Sequence, residues 1–398
     1  MTALFIAALS CAIWVYLLAA RGGFWRAAQR DDAGLPTTPE KMHWPRVVAV
    51  IPARDEAALI GVAIGSLLRQ DYRGSVALVV VDDHSTDGTA EAVARAAAAA
   101  GGSARVTVLA VPSLPDGWTG KLWALHHGIG HVQTLPDRPD YLLLTDADID
   151  YADDTLTLLV RRTVGGNLVL ASLMARLRCQ SFAERALIPA FVFFFQMLYP
   201  FAWVNRADRP LAAAAGGCML VQRHALQAAG GVEAIRGELI DDCALARLLK
   251  PHGRIWLGLT ERVRSLRATA TFSEIRRLVA RCAYAQLQFS PWRLGGVTAG
   301  MVVVYLAPPA LALFGSGAPQ LLGALAWAQM ALAFQPTLRL YAVSPWWGPA
   351  LPAIAMTYVA FTLDSAYQYL RGRGGAWKGR VHCQPPASAA SGRSRESP

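Results

Sequence analysis

The stretch "YLLLTDADID", residues 141–150, decides how the rest of the chain is read. Its apolar run, Tyr141 to Thr145, has the length and composition of a buried strand. It passes straight into Asp146, Asp148 and Asp150, three acids spaced by two. Carboxylates this close repel one another, and solvent, a positive side chain or a divalent metal offsets the cost. A D-x-D beyond a strand puts alternate carboxylates on one side of an extended segment. Mg²⁺ or Mn²⁺ often joins one or two such oxygens to a diphosphate. A solvated acidic turn can carry the same letters, so the decision falls to the sequence around it.

Upstream, strand-like and helix-like segments alternate. "RVVAVIP" (46–52), "VALVVV" (76–81), "RVTVLAV" (105–111) and "YLLLT" (141–145) read as strands. Between them, 55–70, 89–102 and 120–132 carry helical spacing. Most of the strands are continuous apolar runs, which predicts an α/β fold with a parallel-core sheet covered by helices on both faces. Ligands of such sheets sit beyond the carboxyl ends of the strands, where three polar clusters fall. "IPARDEAALI" (51–60) offers Pro52, Ala53, Arg54 and Glu56; its acids would equally suit a helix N-terminus. "VVVDDHSTDGT" (79–89) places Asp82 and Asp83 at a strand end, with residues that also make ordinary caps. Asp146 and Asp148 form the third. "GWTGKLW" (117–123) lacks the glycine spacing and hydroxyl of a P-loop, and no GxGxxG follows the first strand.

The chain of 398 residues is 54% hydrophobic with a net charge of +10. Residues 3–20 are apolar and uncharged over about the length of a bilayer span, with Arg21, Arg26 and Arg30 following. That order predicts an uncleaved anchor (1–30) with the later chain on the cytoplasmic side. A Pro-rich linker (31–45) leads to a catalytic-type domain (46–293). Residues 187–204, apolar and aromatic but broken by Pro189 and Pro200, read as an interfacial segment. Spans are expected at 297–316, 319–338 and 346–364 within a membrane region (294–370), followed by a basic, disordered tail (371–398). Three crossings would carry that basic tail outside, against the positive-inside rule, so one of them is expected to be re-entrant or interfacial. Scattered arginines without an aromatic reading stripe point to a membrane face rather than nucleic acid. The six cysteines include no CxxC pair, which fits a reducing compartment.

With the clusters in this order, the chain resembles family-2 glycosyltransferases of the GT-A fold. "VVAVIPARDE", "VVVDDHSTDGT" and "LLLTDADI" are similar to that family's donor-binding signature. An N-terminal anchor with C-terminal spans resembles the membrane-bound branch that includes ceramide glucosyltransferases. "GWTGKLWAL", "GGCMLVQRHAL", "ELIDDCALARLLK" and "AYAQLQFSP" resemble bacterial hopanoid-biosynthesis-associated glycosyltransferases. The resemblance implies a nucleotide-sugar donor, of UDP type, and a divalent metal, Mg²⁺ or Mn²⁺. It implies that Pro52, Ala53, Arg54 and Glu56 line the nucleoside pocket, that Asp83 binds the base and that Lys121 lies near the phosphates. Asp146 would approach the ribose or the metal, and Asp148 would ligate the metal. Gly216 and Gly217 match an acceptor loop, with Asp241, Arg281 and Tyr284 on the acceptor side. Asp242 matches the catalytic base, the second acid of a pair; helix-start capping is the alternative for Asp241-Asp242. The usual Q/R-x-x-R-W is altered, with Leu278 and Cys282 at its ends.

The function so implied is an inverting, metal-dependent sugar transfer to a lipid acceptor in the bilayer of a bacterial inner membrane, with the catalytic domain cytoplasmic. Two other readings stand beside it: a processive polysaccharide synthase, which needs more spans for a polar channel, and a non-catalytic membrane scaffold.

Overall fold

The computed structural model describes residues 1–35 and 43–372, with the backbone of 376–377 and 380–381. Residues 36–42 of the expected linker, and most of the expected tail, lie outside the described residues. The four strands read from sequence are present as β1 (Val47–Ala53), β2 (Val76–Asp82), β3 (Val106–Ala110) and β4 (Tyr141–Thr145). Four more follow: β5 (Ile149–Tyr151), β6 (Leu168–Arg176), β7 (Cys218–Gln222) and β8 (Arg254–Ser265). They form one sheet in the order β3-β2-β1-β4-β7-β6-β8-β5.

The first four strands are parallel, as their apolar runs predict. Alternate residues of β1 enter two cores. Val48 and Val50 face the Gly120–Thr134 helix, and Val47, Ala49 and Ile51 face the Ile60–Leu68 and Thr89–Ala99 helices. Gly128 lets the first of these helices approach closely, since a Cβ there would lie 2.5 Å from Val50 Cγ1. The other half of the sheet departs from a parallel arrangement. β7 runs antiparallel to both β4 and β6, and β5 antiparallel to β8. Thr145 therefore pairs with Cys218, so the start of β7 lies at the same sheet edge as the end of β4.

The expected helix over 55–70 begins only at Ile60. The N–H groups of Asp55, Glu56 and Ala57 are taken by Ser85, Thr89 and Asp87 side chains, at 3.0, 2.9 and 2.9 Å. Asp55 has φ of 49°, and the backbone bends there instead of coiling. The start of the expected linker is also held. Asp31 N–H donates to Leu259 O, Leu259 N–H donates to Gln29 O, and the Asp31 carboxylate accepts from Thr260.

The apolar segments gather on one side of the sheet. The N-terminal helix, Thr2–Ala19, packs on the Ala318–Leu340 helix, and its buried Trp14 donates to Val304 O at 3.0 Å. The Phe182–Leu198 helix keeps Pro189 inside it and is largely enclosed, with Phe193 against Phe334 and Phe194 against Tyr358. Thr2–Ala19, Phe182–Val204, Pro291–Phe314 and Ala318–Leu340 are long and apolar enough to cross a membrane. The Leu351–Leu370 helix, where a span at 346–364 is expected, is not among these four. It is tied to the Phe272–Gln286 helix instead. Asp364 pairs with Arg276 at 3.0 Å, and Ser365 accepts from the Tyr284 N–H and donates to Ala280 O.

Candidate functional site

A cavity of about 460 Å³ opens at the carboxyl edge of β1 and β4. Four chain segments meet there: the bend after β1, the D-x-D after β4, the loop before β7, and the start of the Asp241–Leu249 helix. Lys121 comes from the first turn of the Gly120–Thr134 helix, whose N-cap Thr119 accepts from the Leu122 N–H. Its Nζ lies 2.9 Å from Asp146 Oδ1 and 3.0 Å from Asp241 Oδ2. One ammonium thus links the D-x-D to the acid pair 95 positions further along the chain. Burial works against the Lys121 charge, but Asp146 and Asp241 outweigh it and raise its pKa. The Asp146 pKa is itself raised, by burial and by Asp148, with Lys121 opposing.

Asp242 is held by two backbone donors. Gly216 N–H reaches its Oδ2 at 2.9 Å and Cys243 N–H its Oδ1 at 2.7 Å. A Cβ at Gly216 would lie 3.2 Å from Lys121 Nζ and 3.5 Å from Asp242 Oδ2, so a glycine keeps these groups close. Burial, and then the neighbouring Asp241 charge, push the Asp242 carboxyl up to about 6. That suits a proton acceptor near neutral pH. The helix-capping alternative explains little here, because the N-cap is Ile240 and makes no side-chain cap.

Arg267 went unnoticed in the sequence. Its Nε lies 2.7 Å from Asp148 Oδ2 and its NH2 2.5 Å from Glu56 Oε1. No local motif marks it. The pairing of β5 with β8 does: beyond Ile149 opposite Ser265, the Leu266 N–H donates to Asp148 O at 2.8 Å. Arg267 follows immediately.

Pro52, Glu56, Lys121, Asp146, Asp148, Gly216, Gly217, Asp241, Asp242 and Arg281 all line the cavity. Ala53, Arg54 and Asp83 do not. They lie beside it, with Arg54 donating to Asp83 O at 2.9 Å and Asp83 fully buried. Asp87 and Asp55 serve mainly to stitch the two neighbouring loops, and Asp82 accepts from Ser85 within its own. Gly217 lines the cavity but also carries structure, its carbonyl accepting from Thr145 and Tyr151. Tyr284 is the clear departure from the expected set. It is buried away from the cavity, edge-on to Phe289 and Tyr369, because its helix turns that face to the Leu351–Leu370 helix.

The cavity lining is both charged and apolar. Six carboxylates and three cations line it, leaving an excess of negative charge. Apolar side chains complete its lining: Met174, Leu177, Phe191, Phe195, Leu239 and Leu278. Among the described residues no three His, Cys, Asp or Glu side chains form a metal cluster by themselves. The acid excess and the D-x-D oxygens nonetheless fit a hard divalent cation whose remaining ligands come from a phosphate-bearing substrate.

Residues 45–285 match the family described as "Glycosyltransferase like family 2". No curated protein matches the chain in sequence. Among solved structures, the mannosyltransferase PcManGT from Pyrobaculum calidifontis, in complex with GDP-Man and Mn²⁺, is 23% identical with a TM-score of 0.53. That match covers 91% of this chain and 99% of the other. Glucosyl-3-phosphoglycerate synthase from Mycobacterium tuberculosis is 22% identical with a TM-score of 0.35, covering 62% and 86%. The likeness to the mannosyltransferase is one of fold.

Proposed function

The chain belongs to the family-2 glycosyltransferases, and from that premise we propose that it moves a sugar from a nucleotide-sugar, of UDP type, to a hydroxyl of a membrane lipid. One observation carries this reading: a single cavity is lined by the Glu56, Asp146 and Asp148 acids, by the Asp242 carboxylate and by a set of apolar side chains. Phe191, Phe195 and Leu278 in that lining suit the apolar body of an amphiphile, and the carboxylates suit its hydroxyl. A hopanoid or another polycyclic triterpenoid is the acceptor in keeping with the sequence resemblance.

In this reading the donor phosphates lie over Asp146 and Asp148, near Lys121 and Arg267, and the nucleoside lies toward Pro52 and Asp83. Asp148, with Asp146 beside it, would hold a divalent metal, which when bound neutralises charge on the departing diphosphate. Asp242 takes the proton from the acceptor hydroxyl as its oxygen attacks the anomeric carbon. The Gly216 and Cys243 N–H groups keep that carboxylate oriented. Such attack inverts the anomeric centre.

The helices support a membrane location. Crossings by Thr2–Ala19, Pro291–Phe314 and Ala318–Leu340 leave the catalytic sheet, the Leu351–Leu370 helix and Arg371 on one side. With Arg21, Arg26 and Arg30 following the first crossing, the positive-inside rule favours the cytoplasmic face for that side, and a bacterial inner membrane is in keeping with the sequence resemblance. The Ala318–Leu340 helix, 23 residues, spans about 34 Å at ~1.5 Å per residue, enough for a bilayer core.

The test uses purified protein in detergent with Mn²⁺, radiolabelled UDP-sugars and a bacterial lipid extract. Label should enter the organic phase with wild type and not with Asp242→Asn. Label that stays in water-soluble products would refute the lipid acceptor. Unchanged glycolipids and hopanoids in a deletion strain would refute the acceptor class.

A further inference from the structure

Of the three cations lining the cavity, Lys121 is committed to two carboxylates on different elements, and Arg281 stands on the acceptor-side helix. Arg267 differs from both. Its side chain is 43% exposed, whereas its partners Glu56 and Asp148 are 9% and 11% exposed. Two nearly buried carboxylates without a cation would carry a desolvation cost that the guanidinium removes. The backbone on either side is pinned, by Leu266 N–H to Asp148 O at 2.8 Å and Thr269 N–H to Glu184 Oε1 at 3.0 Å. The strap is therefore fixed over the D-x-D, while its exposed arginine head has room to turn.

We infer that Arg267 is the resident counter-ion of the donor site: it holds Glu56 and Asp148 in the donor-free protein and yields Asp148 when donor and metal bind together. This rests on the donor-site reading given above. The reason is charge. An arginine beside an aspartate competes with any other cation for the same oxygens. Arg267 Nε already sits 2.7 Å from Asp148 Oδ2, so a metal ion approaching that oxygen meets it as a competitor. The consequence is an ordered site: free metal binds poorly while Arg267 sits on Asp148. A nucleoside diphosphate supplies a new anionic partner for the guanidinium, whose fork suits phosphate oxygens. Metal and nucleotide then favour one another. Arg267 acts here as a positioning residue.

The test measures binding, not turnover. Free Mn²⁺ is followed by its paramagnetic resonance signal during titration of the full-length protein in detergent, with and without UDP, and melting curves check the fold. Wild type should bind Mn²⁺ weakly alone and at least about tenfold more tightly with UDP. Arg267→Gln should bind Mn²⁺ alone about tenfold more tightly than wild type and lose most of the UDP enhancement. Arg267→Lys, which keeps the charge but not the fork, should fall between them, and it carries the test if the glutamine variant does not fold. If wild type shows the UDP enhancement and both variants match it, the role of Arg267 is refuted and the donor site stands. If wild type shows no enhancement and UDP does not bind at all, the donor reading fails and this inference with it.

Discussion

Replacing Asp242 by asparagine keeps the shape of the side chain and removes its ability to take a proton. A positioned general base contributes typically 10²–10⁴ in rate, which is about 2.7–5.4 kcal/mol of barrier at ~1.36 kcal/mol per tenfold. Asp242 should sit within that range, because its carboxyl is pushed up to about 6, close to a working pH near 7. The asparagine has one further effect. Gly216 and Cys243 donate to the two different carboxylate oxygens, so one N–H must now face an amide NH2. That costs about 1–3 kcal/mol if the N–H is left unsatisfied, and the melting point should fall by a few degrees. Donor binding should survive, because Asp242 is not part of the Glu56–Arg267–Asp148 group. The assay pairs UDP calorimetry with transfer of label to lipid across pH. The base is active when ionised, so wild-type turnover should fall about tenfold per unit below its acid limb near pH 6, and a plateau should follow above it. An unperturbed aspartate would put that limb near 4. Transfer by Asp242→Asn within tenfold of wild type, or an acid limb near pH 4, would refute the assignment of the base.

Lys121→Met leaves Asp146 and Asp241 without their shared cation; UDP affinity should drop at least about tenfold, and calorimetry reads this directly. Gly216→Ala forces a methyl against Lys121 Nζ; transfer should drop about tenfold while the melting point stays within a few degrees, and a variant as active as wild type would count against the close packing. Phe191→Ala, in the apolar lining, should raise KM for the lipid severalfold with donor KM unchanged, measured by varying each substrate separately. Glu184→Ala removes the fully buried acceptor for three part-buried N–H groups, of Gln180, Ser181 and Thr269; at up to about 1–3 kcal/mol for each one left unsatisfied, it should lower thermal stability more than any of these cavity variants.

Much of the cluster of acids at the strand ends was legible because it is local. β1, β2 and β4 are continuous apolar runs, each followed at once by its acids, and a strand buried on both faces has no freedom to be anything else. The residue types at those ends, Glu56, Asp146 and Asp148, could be named because a parallel sheet puts all such ends on one edge. The ends of the helix after β1 were misread because side chains from the next loop claim its first N–H groups. Within the stretch expected to span at 346–364 and just beyond it, Asp364 and Ser365 face a neighbouring helix, a partnership its apolar letters do not reveal.

Sequence alone thus determined the parallel core, the position of the acids and the apolar helices, since strand burial, strand-end polarity and span length are properties of contiguous residues. Tertiary structure alone decided the rest. The antiparallel pairing of β7 brought Gly216 to Asp242, and the β5–β8 register set Arg267 on Asp148. Packing of one helix against another withdrew Tyr284 from the cavity. Strand direction, register and helix facing are fixed by partners far along the chain, so no local stretch carries them.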